Sequence, residues 1–535
     1  MTTVNGAQAL VRTLVDAGVT TCFTNPGTSE MHFVAALDAV PEMRAVLTLF
    51  EGVATGAADG YARMAGAPAA TLLHLGPGLG NGLANLHNAR KGNVPVVNIV
   101  GDHATYHARH DAQLQSDIET VARNVSGWLR TSARTEDLPR DATEAVAAAA
   151  GPPGQVATLI LPADVSWGEG KRDGNGDRDG ATPGTQAEPA QVTPPSGQVP
   201  ESADLAPLVR ALRSGEPAAL LLGGSVCEAE LAAAAKVAAA TGATLLVETF
   251  PTRLERGAGL PPVERMAYLA EMASAQLEGL THLVLAGAKP PASFFAYPDK
   301  PSVLAPEGCR LHRLAAPGVR SAPRLEALAE ALGAADAAYP VQPAARPRPP
   351  TGALTAETVC QAVGAVLPEG AIVSDEAQTS GIFLPGATAG APRHDVLSLT
   401  GGAIGQGLPV AVGAALACPD RPVLALQGDG AALYTVQALW TMAREQLDVT
   451  VVLLNNRSYS ILTMELARVG AGDPGPRAKA QLDLSGPGLD FTALATGFGV
   501  PSSRPDTAED FTAALAHALA TPGPHLIEAV IPEIF

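Results

Sequence analysis

At 535 residues the chain is long enough for about three domains that each bury a core, and a composition 47% hydrophobic and 16% charged is that of a globular protein. A formal net charge of -18 argues against nucleic acid or an anionic membrane as the main partner. The five cysteines are scattered and form no C-x-x-C pair, which fits a reducing cytoplasm, and neither a signal-peptide pattern nor an uncharged apolar run of the roughly 18 residues that span a bilayer is present.

Taken in chain order, "ALVRTLVDAGV" puts Leu10, Val11, Leu14 and Val15 on one helical face, and "TTCFTN" reads as a strand. "PAATLLHLG" and "NVPVVNIVG" repeat the strand pattern, so residues 1–167 form a first α/β block. Within it, Glu51 of "LTLFEGVATGAADGYARMAG" stands where an apolar strand becomes a helix. Residues 168–200 are rich in Gly, Pro and charge and read as a flexible linker. A second block, 201–338, has strands "AALLLGG", "ATLLVE" and "HLVLAGA" separated by Ala-rich helices such as "EAELAAAAKVAAATG". The proline-dense stretch 339–352 ends it, because proline cannot continue a helix or a central strand.

The third block, 353–535, has strands "GAIVSDEA", "PVLALQG" and "DVTVVLLNN", with a helical stretch "YTVQALWTMARE" between the last two. Strand-helix-strand repetition with buried-type strands predicts doubly wound parallel sheets covered by helices on both faces. In "LALQGDGAALYT", Asp429 projects at the carboxyl end of a buried strand, where open α/β sheets place ligands. After Gly430 the chain runs 24 residues, 431–454, to Asn455 and Asn456. A right-handed strand-helix-strand unit of that length brings the two strand ends together. Asp429 and the Asn456 amide are then hard oxygen donors suited to magnesium, which keeps phosphate oxygens and water as its other ligands. A helix starting near Ala431 would turn its positive end toward the same point and favour a diphosphate.

GDG, 24 residues and NN together resemble the fingerprint of thiamin diphosphate (ThDP) enzymes, and the likeness extends over most of the chain toward the benzoylformate decarboxylase and acetohydroxyacid synthase branch. The resemblance implies three domains of this α/β type: pyrimidine-binding, central and diphosphate-binding. It implies that Asp429 and Asn456 give side-chain oxygens to magnesium and Ser458 a main-chain carbonyl, with Gly430 between strand and helix. In "GGAIGQGLPVAVGAA" it implies that the Gly402 carbonyl accepts from the 4'-amino group of the aminopyrimidine and that Ile404 wedges the cofactor into its bent form. It places Gln378, Thr379 and Tyr434 near the diphosphate, and Glu51 opposite N1' of the pyrimidine, where an acid promotes loss of the C2 proton.

"TNPGTSE" resembles the benzoylformate decarboxylase segment that meets the substrate carboxylate, with Thr28 in place of a serine, and His74 of "LLHLGPGLGN" matches an active-site histidine, a proton shuttle. Three positions depart from the pattern. Phe295 stands for a second histidine, Glu465 for an aromatic pocket residue, and Leu114 of "DAQLQSDI" for the reaction-centre glutamine of acetohydroxyacid synthases. These departures disfavour an aryl glyoxylate and a true acetolactate synthesis alike. His103, His107 and His110 read as surface residues of a loop.

The resulting expectation is a cytoplasmic, ThDP- and magnesium-dependent enzyme that cleaves or forms a carbon-carbon bond of a small 2-oxo acid, as a homodimer or homotetramer with sites between subunits. Two alternatives remain: an acyl-CoA lyase or decarboxylase of the same cofactor class, and a non-catalytic cofactor-binding partner subunit, against which Glu51 argues. FAD, used by some relatives, stays open, with no clear G-x-G-x-x-G in the central block.

Overall fold

The computed structural model describes residues 4–169, 204–296, 300–472 and 474–534, so most of the expected linker lies outside the described residues. By internal contacts the described chain falls into two compact units, one of residues up to 169 with Val412–Ala417, the other of the remainder.

The first unit begins with a helix, Gly6–Asp16, whose start is held by a capping box: the Asn5 side chain accepts from the Gln8 N–H and the Gln8 side chain accepts from that of Asn5. Its buried face carries Leu10, Val11 and Leu14. Six parallel strands form one sheet in the order Arg44–Leu47, Thr21–Asn25, Ala69–Leu73, Val96–Asp102, Val156–Pro162, Trp128–Thr131. The inner strands are buried along their length, as parallel strands covered on both faces must be. Helices Glu51–Ala65 and Leu75–Lys91 start within a few residues of strand ends, so Glu51 and His74 stand at the carboxyl edge of this sheet.

The second unit holds two sheets. Five parallel strands are ordered Glu264–Arg265, Thr244–Val247, Ala218–Leu222, His282–Ala286, Arg310–Ala315. Eight strands are ordered Ser502–Ser503, His525–Val530, Val449–Asn455, Val423–Gly428, Ile372–Glu376, His394–Ser398, Arg253–Arg256, Ser225–Val226. The last two come from the middle of the chain, and Arg253–Arg256 runs antiparallel to His394–Ser398, an exception to the all-parallel expectation. The pairing is clamped by Asp395, whose carboxylate takes Arg253 at 2.6 Å on one oxygen and Arg421 at 2.6 Å on the other.

One expected helix is broken. The stretch after Gly428 makes a single turn, Asp429–Ala432, and helix resumes only at Ala438–Arg444. Between them the chain turns, pinned where Thr435 Oγ1 donates to the Gly405 carbonyl at 2.9 Å. A one-turn helix carries little macrodipole, so the positive helix end expected at this point is weaker than the sequence suggested.

Candidate active site

In the second unit, the strands Val423–Gly428 and Val449–Asn455 are parallel neighbours with Gly428 paired to Leu454, which sets Asp429 beside the 455–458 turn. Asp429 is buried. Its Oδ1 accepts from the Gly430 N–H at 2.8 Å and its Oδ2 from the Arg457 N–H at 2.7 Å. Burial pushes its carboxyl above the ordinary range, against the pull of those two amides. The two asparagines face opposite ways. Asn455 donates to the buried Glu528 at 2.7 Å, whereas Asn456 bridges its own turn, accepting from Ser458 N at 3.0 Å and donating to Ser460 Oγ at 3.1 Å. Arg457, which follows them, has φ of 59°, which turns the chain back on itself.

One carboxylate, one amide oxygen and a backbone carbonyl at Ser458 thus cluster around a single turn. Among the described residues no group of three or more His, Cys, Asp and Glu could hold a metal. A donor set with a single carboxylate fits magnesium that shares its shell with diphosphate oxygens, and fits no all-protein metal cage. Gly430 has no room for a side chain, since a Cβ would lie 2.4 Å from the Tyr459 ring.

Gly402 and Ile404 lie in the loop before the helix Gly407–Ala417. Gly402 has φ of 77° and abuts Phe294, whose ring would be 2.4 Å from a Cβ. Phe294 belongs to an aromatic cluster with Phe250, Tyr268 and Phe295, at centroid distances of 4.9–5.9 Å. Tyr434 packs its Cβ against Gly405 and is largely exposed. Gln378 is exposed with φ of 51°, and Thr379 is buried. Glu465 Oε1 accepts from the Arg468 guanidinium at 2.6 Å, while its Oε2 is buried with no hydrogen-bond partner among the described residues.

In the first unit, Glu51 is buried at the first turn of its helix and accepts from Asn81 Nδ2 at 3.0 Å. His74 precedes the helix Leu75–Lys91, and its Nδ1 lies 2.8 Å from Oε2 of Glu30, which also accepts from the Gly27 N–H at 2.7 Å. The imidazole packs flat on Gly27, where a Cβ would lie 2.3 Å from Nδ1. Thr28 opens the short turn Thr28–Glu30 and is exposed. Glu30 and Asn81 were passed over in the sequence. Each sits in a quoted motif, and an acid two residues beyond Thr28 was a signal that could have been read. Leu114, 48% exposed with φ of 70°, lies on the loop whose histidines follow one another at ring distances of 5.4 and 5.6 Å.

Residues 4–122 match the model of the thiamine pyrophosphate enzyme N-terminal TPP binding domain, and residues 383–529 that of the C-terminal TPP binding domain. A Mycobacterium tuberculosis protein with the provisional name acetolactate synthase large subunit IlvX is 59% identical over 99% of both chains. Benzoylformate decarboxylase of Pseudomonas aeruginosa is 32% identical over 96% of both. The chain belongs to the thiamin diphosphate enzyme family. Among solved structures, the ThDP-dependent 4-hydroxybenzoylformate decarboxylase of Rhodococcus jostii RHA1 superposes over 99% of both chains with a TM-score of 0.83 at 26% identity. The three-sheet, mostly parallel architecture is therefore that of ThDP decarboxylases, and the protein is an enzyme of this family.

In the middle sheet the strand Ala218–Leu222 is followed by Gly223 and Gly224. At its switch point the Gly223 N–H is taken by the Ala286 carbonyl at 3.1 Å, and the Gly224 N–H by the Glu248 carboxylate at 2.6 Å.

Proposed function

We propose that this enzyme uses ThDP with magnesium to break or form the carbon-carbon bond beside the carbonyl of a small or polar 2-oxo acid, by decarboxylation, acetolactate synthase-like carboligation, or both. The observation that carries the reading is Asp429 hydrogen-bonded to the turn that carries Asn456, at the carboxyl ends of adjacent strands. When bound, ThDP supplies a C2 nucleophile for the carbonyl and a ring that takes up the electrons of the departing group.

This chain's residues do the rest. Asp429, Asn456 and the Ser458 carbonyl hold the metal, and the segments around Gly430, Gln378, Thr379 and Tyr434 receive the diphosphate. Gly402 offers its carbonyl and Ile404 its side chain to the pyrimidine. Glu51, steadied by Asn81, holds a proton at the pyrimidine N1'. His74 is anchored through Nδ1 to Glu30, which leaves Nε2 to pass a proton to or from substrate, and Thr28 meets the substrate carboxylate. Glu465 Oε2, buried with no hydrogen-bond partner among the described residues, favours a substrate with a polar end. We place the enzyme in the cytoplasm as a homodimer or homotetramer, in keeping with a family that completes its sites between subunits. No helix among the described residues is long and apolar enough to cross a membrane.

A panel of pyruvate, 2-oxobutanoate, benzoylformate and 4-hydroxybenzoylformate, with ThDP and magnesium, tests this by carbon dioxide release and by product analysis. Turnover is expected with the small acids. Efficient use of the aryl acids alone would overturn the small-substrate reading.

A further inference from the structure

Glu376 ends the strand Ile372–Glu376 and is 2% exposed, yet its carboxylate accepts four hydrogen bonds. Oε1 takes the N–H groups of Gly405 at 2.7 Å and Gln406 at 3.2 Å; Oε2 takes that of Gly407 at 2.7 Å and the Gln427 side-chain amide at 2.8 Å. All four donors are neutral. Three successive backbone amides aimed at one carboxylate form an anion nest at the start of the helix Gly407–Ala417. Ser374, on the same strand, fixes the loop from the other side by donating to the Gly407 carbonyl at 2.8 Å. The packing leaves no slack, since a Cβ on Gly407 would lie 2.4 Å from Gln427 Oε1 and 2.8 Å from Glu376 Cβ.

Each of these contacts leads to a segment of the proposed cofactor site. The loop carries Gly402 and Ile404, Gln427 stands two residues before Asp429, and Glu376 stands two before Gln378. Burying a carboxylate without a cation is costly, and a neutral glutamine could not replace it, because a single amide oxygen cannot take the place of two acceptors and its NH2 would face N–H donors.

We propose that Glu376 is a positioning residue for ThDP. Without touching the cofactor, it holds the 401–407 loop so that the Gly402 carbonyl and Ile404 meet the aminopyrimidine. The proposal rests on the cofactor reading above. A positioning role separates pyrimidine recognition from diphosphate recognition, which a general loss of structure would not.

The test titrates the wild type and Glu376→Gln with ThDP and, separately, with inorganic pyrophosphate, both with magnesium, by calorimetry. Glu376→Gln is expected to weaken ThDP by roughly 10- to 100-fold, the scale of one or two lost charged hydrogen bonds, and pyrophosphate by less than about threefold. If Glu376→Gln fails to fold by circular dichroism, Gln427→Met takes its place. It removes one donor from Oε2 and should weaken ThDP about tenfold with pyrophosphate unchanged. Wild-type ThDP affinity in the folded variant, or equal weakening of both ligands, overturns the proposal while leaving the cofactor reading intact. A wild type that binds no ThDP overturns the reading and the proposal together.

Discussion

His74 and Glu30 form a closed pair: Nδ1 of the imidazole lies 2.8 Å from a carboxylate with no solvent exposure. Burial pushes the Glu30 carboxyl up, and the Gly27 amide and His74 pull it back. Gly101 makes the arrangement possible, because a Cβ there would fall 1.6 Å from Glu30 Oε1. The carboxylate fixes the ring's tautomer and orientation, the part a base's partner plays in catalytic triads.

His74→Ala should therefore lower kcat on the best substrate by roughly 10²- to 10⁴-fold, the usual range for a lost general acid-base, with a smaller change in KM. Glu30→Gln, which keeps the volume and loses the charge, should lower kcat by roughly 10- to 100-fold, the equivalent of about 1.5–3 kcal/mol for one charged hydrogen bond. Steady-state kinetics on folded variants decides it. A His74→Ala enzyme with normal kcat would remove the histidine from the chemistry.

Asp429→Ala deletes a buried carboxylate whose native partners are two backbone amides. If that charge serves a metal, the variant should keep its fold and lose magnesium-dependent ThDP binding, by at least about 100-fold in Kd. Calorimetry with and without magnesium reads this. Wild-type affinity in the variant would move the metal elsewhere.

Much of the fold and some of the site were legible in the sequence, and the reasons differ by residue. The strands around Leu72, Ile99 and Leu453 are mostly apolar, interrupted by Thr71, Asn98 and Thr450, and they are buried along their length as in a sheet covered on both faces. The GDG-to-NN distance is a local measure of one strand-helix-strand unit, so it survives even though the helix inside it is broken at Thr435. Long-range pairing left no local trace. Nothing near Arg253 announces that it will reach Asp395, 142 residues on, and build an antiparallel edge. Glu376 and Glu30 were hidden for the same reason: a buried acid looks like any strand-end or turn acid until its donors, distant in sequence, are folded around it.

Glu248 predicts a pH dependence. It sits after the strand Thr244–Val247, and burial pushes its carboxyl up to about 7, with the Gly224 amide and Lys289 opposing. A carboxyl whose folded value is raised favours the protonated state in the native protein. Its contribution to stability is thus full below its ordinary value near 4.5 and is lost as pH rises through about 7. Between about pH 5 and pH 8 the wild type should lose thermal stability that Glu248→Gln retains, a difference of roughly 2–4 °C for about 1 kcal/mol. Identical pH profiles of the two melting points would count against it.

The last prediction concerns activation of the cofactor. Glu51 is 6% exposed, is held by Asn81 at 3.0 Å, and has Gly78 so close that a Cβ would lie 3.0 Å from Oε1. Such packing leaves the carboxylate few orientations, and a carboxylate with a fixed aim suits one proton at one nitrogen. Glu51→Gln keeps the shape and can still hydrogen-bond Asn81, but it cannot exchange that proton. Hydrogen-deuterium exchange at C2 of bound ThDP should then slow by roughly two to four orders of magnitude, while ThDP affinity falls far less, since Glu51 is not among the groups proposed to hold the diphosphate. Asn81→Ala frees the carboxylate without removing it and should fall between the two. NMR of quenched samples measures the exchange directly. A Glu51→Gln variant that exchanges at the wild-type rate would show that another group withdraws the proton.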